Sequence, residues 1–149
     1  MKEKVEKELE RLIKEDIIYE VENSDWATPI VPVPKTNGEI RICGDFKVTI
    51  NQKIKIDRYP VPRIQDLLSS LNGGKYFSKI DLSQAYQQVE LDDQSKPLVT
   101  ISTHKGLFRY KRLFFGVASA PGLFQREMEK ILQGLEGVVC YFDDIDDKW

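Results

Sequence analysis

Cysteine is scarce in this chain of 149 residues, and the two present, Cys43 and Cys140, lie far apart. No paired metal-ligand spacing surrounds them, so a disulfide scaffold and a cysteine-based zinc site are both excluded, and a reduced, intracellular protein is expected. Both cysteines read as small buried apolar residues. Long hydrophobic runs are missing as well: no segment approaches the roughly 20 apolar residues needed to span a bilayer, and no membrane partner is expected. The opening Met1-Lys2-Glu3-Lys4 runs into alternating charge without an apolar segment, which predicts no secretory signal. An excess of positive charge is absent too, since the formal net charge is −2. Repeats and low-complexity stretches do not occur. What remains, 41% hydrophobic and 31% charged residues, is the composition of an ordinary globular chain and argues against disorder. A domain of this length buries roughly 70% of its unfolded surface.

Charge is unevenly distributed. Seven basic residues (Lys35, Arg41, Lys47, Lys53, Lys55, Arg58 and Arg63) face three acids between positions 35 and 63. Four more, Lys105, Arg109, Lys111 and Arg112, occur without an acid between them. Acid gathers instead in the first helix and in Asp143, Asp144, Asp146 and Asp147. Binding phosphate needs local positive potential and not a basic whole; a solvated surface explains the same clusters as simply.

Periodicity predicts an α/β pattern. Val5, Leu9, Leu12, Ile13 and Ile17 recur at helical spacing and predict a helix over 2–17. Three prolines make 24–34 an extended edge segment. Thr36-Asn37-Gly38 then turns a hairpin of 30–35 and 39–44. A loop broken by Pro60 and Pro62 precedes a short helix over 63–71, ended by Asn72-Gly73-Gly74. A strand over 75–80 delivers Asp81. A second hairpin joins 97–103 to 107–113 around His104-Lys105-Gly106. A helix over 119–133 follows, with Pro121 in its first turn, and the strand 138–142 runs into Asp143-Asp144.

Asp-Asp after an apolar strand is by default a turn, and Asp81-Leu82-Ser83 can simply cap the short helix after it. The combination carries more. Two strands each ending in a carboxylate could bring Asp81, Asp143 and Asp144 together, and three such groups repel unless a divalent cation neutralises them. Mg²⁺ favours hard oxygen ligands and keeps room for water and phosphate. Two ions about 4 Å apart would stabilise the attacking and leaving oxygens of an in-line phosphoryl displacement.

Five stretches now carry a resemblance. Tyr141-Phe142-Asp143-Asp144 is similar to the Tyr-x-Asp-Asp signature of reverse transcriptases. The run from Tyr76 to Tyr86 resembles the family's first catalytic-aspartate motif, and Phe115 to Gln125 the motif between the two. Trp26 to Lys35 and Arg41 to Phe46 resemble its fingers segment. The wording is closest to Pol polyproteins of gypsy-type long-terminal-repeat retrotransposons, over residues from about 5 to 145.

The resemblance implies an α+β right-hand polymerase fold, its fingers and palm built of a mixed or antiparallel sheet with packed helices, its thumb missing. Fingers would be about 1–75 and 97–113, palm about 76–96 and 114–149. It implies RNA-directed DNA synthesis on an RNA or DNA template with primer, using deoxynucleoside triphosphates. Asp81, Asp143 and Asp144, with the Leu82 carbonyl, would hold two Mg²⁺ ions, Mn²⁺ being a possible substitute. Lys35 and Arg41 would clamp the triphosphate. Gln84 and Ala85 would offer it backbone N–H groups, and Tyr86 would exclude a ribose 2′-hydroxyl. Phe115 and Gly116 would shape the nucleotide pocket, with plain packing an equal reading for Phe115. Tyr141, Phe142 and Gln125 would lie on the template and primer side. Phe124 and Trp26 read as packing.

Two departures from the family carry expectations. Phe114 stands where relatives usually have proline, which should loosen the pocket loop. After Ile145 the family's returning apolar strand is replaced by Asp146-Asp147-Lys148-Trp149, which should leave the 138–142 strand with one edge less covered. Weak or absent activity of this chain alone is therefore expected, with a possible partner polypeptide supplying the thumb. The alternative is a retroelement relic that at most binds nucleic acid or a protein.

Overall fold

A computed structural model describes residues 1–148, with 147 and 148 described by backbone alone. In chain order the elements are α1 (Lys2–Lys14), β1 (Ile18–Val21), β2 (Thr28–Pro34), β3 (Ile40–Gly44), α2 (Ile64–Ser70) and β4 (Phe77–Asp81). Then come β5 (Thr100–Thr103), β6 (Gly106–Tyr110), α3 (Ala120–Leu132), β7 (Val138–Tyr141) and β8 (Asp144–Lys148). The chain divides into two compact units: residues 1–55 with 87–118, and residues 56–86 with 119–149. These boundaries differ from the fingers and palm limits given above. Residues 56–75 group with the second unit, and 87–96 and 114–118 with the first.

The first unit is a five-stranded sheet in the order β1-β6-β5-β2-β3. α1 turns Val5, Leu9 and Leu12 inward, and Arg11 ties Glu8 and Glu15 on its outer face. The helix stops at Lys14, three residues before the expected end, where Asp16 takes a left-handed φ of 57°. That reversal frees Ile18–Val21 to pair antiparallel with β6, a strand absent from the sequence reading. The core is apolar and aromatic: Tyr110 stacks on Phe114 at 3.7 Å and Phe46 leans on Phe114 at 5.0 Å, with Ile18, Ile101 and Phe108 buried around them.

β2 is not a simple edge. Thr28 and Pro29 pair parallel with β5, while Ile30 to Pro34 pair only with β3. Lys35 donates its backbone N–H to the Glu39 carbonyl at 2.8 Å, in line with β3. By the two-residue alternation Val31 and Val33 share that direction. Pro32 and Pro34 therefore point their missing donors away from β3, where no pairing is lost.

The second unit is an antiparallel sheet in the order β4-β8-β7, with α3, whose Phe124, Gln125 and Met128 are buried, packed on β7 and Gln125 hydrogen-bonded to the Cys140 carbonyl. Pro121 sits in the first turn of α3 as expected. The tail corrects the sequence expectation. Asp144–Lys148 does return as a strand, and it lies at the centre of the sheet, covering the edge of β7 that was expected to stand open. Ladder bonds need only backbone groups, so an acidic sequence can supply them. Ile145, 7% exposed, is its apolar anchor in a row with Ile80 and Cys140. Trp149 lies outside the described residues. Among the described residues no helix is long and apolar enough to cross a membrane.

Candidate active site

In the second unit, β4 ends at Asp81 and the β7–β8 hairpin turns through Phe142 and Asp143. Register sets Asp81 directly opposite Asp144, and Asp144 opposite Tyr141. The Leu82 N–H reaches the Asp143 carbonyl at 3.3 Å. The three aspartates thus converge, by backbone, on one end of one sheet. Residues directly opposite on antiparallel strands share a face, as do positions two apart, so Lys79, Asp81, Asp144 and Asp146 project together. Lys79 pairs with Asp144 at 3.2 Å. Its ammonium is held above the ordinary lysine range by the hydrogen bond to Asp144, then by the charges of Asp144, Asp146 and Asp81.

Asp81 and Asp143 are exposed. Hard carboxylate oxygens in this position are the donor set that suits Mg²⁺. The side chains themselves stand apart: among the described residues no group of three His, Cys, Asp or Glu gathers to hold a metal ion. The residues fit such an ion in kind and in backbone placement, and Lys79 supplies the nearest positive charge to Asp144.

Phe142 has a left-handed φ of 56°, a conformation that costs a non-glycine residue about 1–3 kcal/mol unless its surroundings enforce it. Gln125 does the enforcing. It is fully buried; its Oε1 accepts the Phe142 N–H at 2.7 Å, and its Nε2 donates to the Cys140 carbonyl at 3.1 Å and to Glu129 Oε1 at 2.9 Å. Being 0% exposed, Gln125 acts on the turn from behind and presents no atom to a template. Glu129 in turn accepts the Tyr59 hydroxyl, whose pKa is raised first by that bond and then by burial. Arg126 pairs with Asp57 at 2.7 Å. Gly122 admits this 57–59 segment, since a Cβ there would meet Tyr59 Cβ at 3.2 Å. Sequence reasoning missed Tyr59 and Glu129; a hydrogen-bond chain of this kind leaves no periodic signal.

Gln84 is also left-handed, φ 55°, and exposed, while Ala85 is buried. Tyr86 is half-buried with its ring edge-on to Phe124 at 5.2 Å. Burial, then the negative charge of Asp143, raises the Tyr86 hydroxyl pKa. The second unit therefore gathers Asp81, Tyr86, Tyr141, Phe142, Asp143 and Asp144 around one sheet end.

The first unit carries the other candidates. Lys35, at the β2–β3 turn, pairs with Glu39 at 3.7 Å. Arg41 on β3 lays its guanidinium over the Phe115 ring at 4.3 Å, and its Nε is buried with no hydrogen-bond partner among the described residues. Phe115 is 39% exposed, so it is a surface ring and not core packing. Gly116 has φ 112°, and a Cβ there would meet the Gly44 carbonyl oxygen at 2.8 Å, so only glycine fits. The loop is not left loose by Phe114: that ring is 2% exposed and stacked, and Asn51 brackets the loop by donating to the Gly116 carbonyl (2.9 Å) and accepting from the Ala118 N–H (3.0 Å). Asn51 was not singled out from the sequence. Phe124 is core, as expected, and Trp26 is half-buried.

Comparison with known proteins accounts for this arrangement. The family profile described as reverse transcriptase (RNA-dependent DNA polymerase) matches residues 33–146. The chain belongs to that family, a family of nucleotidyltransferases. It is 45% identical over 145 residues to uncharacterized protein K02A2.6 of Caenorhabditis elegans, covering 96% of this chain and 11% of that protein. Against the retrovirus-related Pol polyprotein from transposon 412 of Drosophila melanogaster it is 36% identical over 151 residues, covering 96% and 12%. A foamy viral protease-reverse transcriptase solved in complex with dsDNA superposes with a TM-score of 0.89 at 25% identity, over 99% of this chain and 31% of that one. The same enzyme in complex with an RNA/DNA hybrid gives 0.84 at 25% identity, over 95% and 19%. The mixed α+β fold is thus that of reverse-transcriptase fingers and palm. The chain spans about a tenth of the length of these curated relatives.

Proposed function

We propose that this chain is the fingers and palm portion of an RNA-directed DNA polymerase of gypsy-type retrotransposon descent, adding deoxynucleotides to a primer 3′ end on an RNA or DNA template. The observation that carries the reading is Asp81 opposite Asp144 with Asp143 at the adjoining turn. Asp81, Asp143, Asp144 and the Leu82 carbonyl would hold Mg²⁺, which supplies charge neutralisation for in-line phosphoryl displacement. Behind the aspartates, Gln125 fixes the turn that presents Asp143. Tyr86, whose hydroxyl feels the negative charge of Asp143, would sterically refuse a 2′-hydroxyl. Lys35 and Arg41 would bind the triphosphate, Phe115 and Gly116 would line its pocket, and Gln84 and Ala85 would supply backbone donors. The complexes formed by the foamy viral enzyme, with dsDNA and with RNA/DNA hybrid, support a template-primer partner for this chain.

A second reading, a relic that retains the fold without the chemistry, draws on the ungathered carboxylates and on Lys79 occupying Asp144. Single-nucleotide extension of a DNA primer on an RNA template separates the two, run with Mg²⁺ and then Mn²⁺ beside Asp143→Asn. Extension lost in the variant supports the polymerase. No extension from a folded chain whose thermal stability ignores both metals favours the relic.

A further inference from the structure

Away from the carboxylates, the first unit has a cavity of about 270 Å³ lined by Asn23, Ser24, Asp25, Trp26, Pro97, Leu98 and Arg109. Its walls are mixed in a telling way. Arg109 is half-buried, and its Nε donates to Thr100 Oγ1 at 3.2 Å and its Nη2 to Ser24 Oγ at 3.4 Å. Those hydroxyls are themselves fixed: Ser24 donates to Thr100 at 3.0 Å, and Thr100 to the Pro97 carbonyl at 3.0 Å. A guanidinium has five N–H donors in a rigid fork. Two are spent on neutral oxygens, and among the described residues no carboxylate pairs with Arg109. Asp25 lines the same cavity, is exposed, and does not reach it.

An oriented, unneutralised arginine beside an indole is a pairing that recognises an anion carried on a flat ring. The cavity is smaller than the roughly 300–1,000 Å³ that encloses a whole drug-sized ligand; it suits one ring. Asn23 and Asp25 at the rim offer a donor and an acceptor to a heterocycle's edge. Single-stranded nucleic acids are held in this way, by aromatic stacking and arginine on the backbone, without need of sequence.

We propose that this cavity binds one unpaired nucleotide, its base against Trp26 and its phosphate on Arg109. The inference rests on the polymerase reading only in naming the nucleotide as part of a template strand. The chemistry is that of any nucleotide, free or within a strand.

Fluorescence anisotropy of a labelled hexathymidylate, at low and raised salt, tests it on the chain as it stands. Binding should weaken about tenfold in Trp26→Ala, weaken in Arg109→Lys, which keeps the charge and loses the fork, and fall with salt. It should persist in the Asp81→Asn, Asp143→Asn double variant, so a failed polymerase reading leaves this result intact. Competition by thymidine monophosphate at matched nucleotide concentration would assign the cavity to a free nucleotide; its failure would assign it to a strand. Should Trp26→Ala be poorly folded, photocrosslinking of 5-iodouracil-substituted oligonucleotide to the unaltered chain replaces it, with the adduct expected on Trp26. No binding by the unaltered chain, binding indifferent to both variants, or an adduct elsewhere overturns the proposal.

Discussion

The two units are built on opposite principles. The first encloses its aromatic and aliphatic residues, with Tyr110, Phe46, Ile18 and Ile101 among the most deeply buried side chains of the protein. The second leaves β4 exposed along all five residues and α2 without a buried position, and Ile64, Leu68, Tyr76, Phe77 and Ile80 stay exposed to solvent. Hydrophobic packing therefore holds the first unit. The second, which bears the aspartates, leans on fewer buried residues, Phe124, Met128, Cys140 and Ile145 among them, and on the hydrogen bonds of Gln125. Apolar burial is tolerant of small shifts in direction; a hydrogen-bonded turn is not. The three aspartates sit where order is specified by few and directional contacts.

That contrast can be broken at its strong end. Phe114→Ala removes a ring stacked on Tyr110 and should cost the first unit about 3–5 kcal/mol, read from urea unfolding; a loss under about 1 kcal/mol would deny the aromatic core its role. Gln125→Leu should cost about 1–3 kcal/mol by stranding the Phe142 N–H and the Cys140 carbonyl. The Phe142 amide should then exchange with solvent much faster while amides of β5 and β6 hold. Loss spread evenly over both units would show the turn is not separately held. Asn51→Ala removes both bonds to the 116–118 loop and should cost about 1 kcal/mol, with faster Ala118 amide exchange as its sign.

The smallest effect is pH dependence. Hydrogen bonds from His104, Lys111, Asn37 and the Ser95 N–H, in turn, hold Glu6, Asp16, Glu39 and Asp92 of the first unit below the usual carboxylate range. A group lowered on folding contributes stability above its unfolded pKa, about 4, and loses it as pH falls through the folded value. Acid below about pH 4 should thus loosen the first unit slightly, read as a lower Tm, and Asp16→Asn should flatten that response.

Much of this fold was legible in the sequence because its signals are local. α1 follows from the spacing of Val5, Leu9 and Leu12, and the two hairpins of the first unit from their turn residues, Gly38 at φ 81° and Gly106 at φ 128° among them. β1 was not legible: four residues directly after a helix carry no period of their own, and their partner β6 lies far along the chain. β8 was hidden by its acidic composition, since a central strand is usually apolar. The aspartates could be read as strand ends, but their cross-strand register could not. Nor could the brace of Gln125, whose partners are mostly backbone atoms that every sequence has.

Ile145 is more than a buried side chain. β8 alternates its faces, so a slip of one residue against β4 and β7 would send Ile145 to solvent and bring Asp144 or Asp146 inside. No charged neighbour in the strand can take its inward place. A single apolar residue thus acts as the phase lock of the hairpin, and the placing of Asp144 opposite Asp81 is inherited from it.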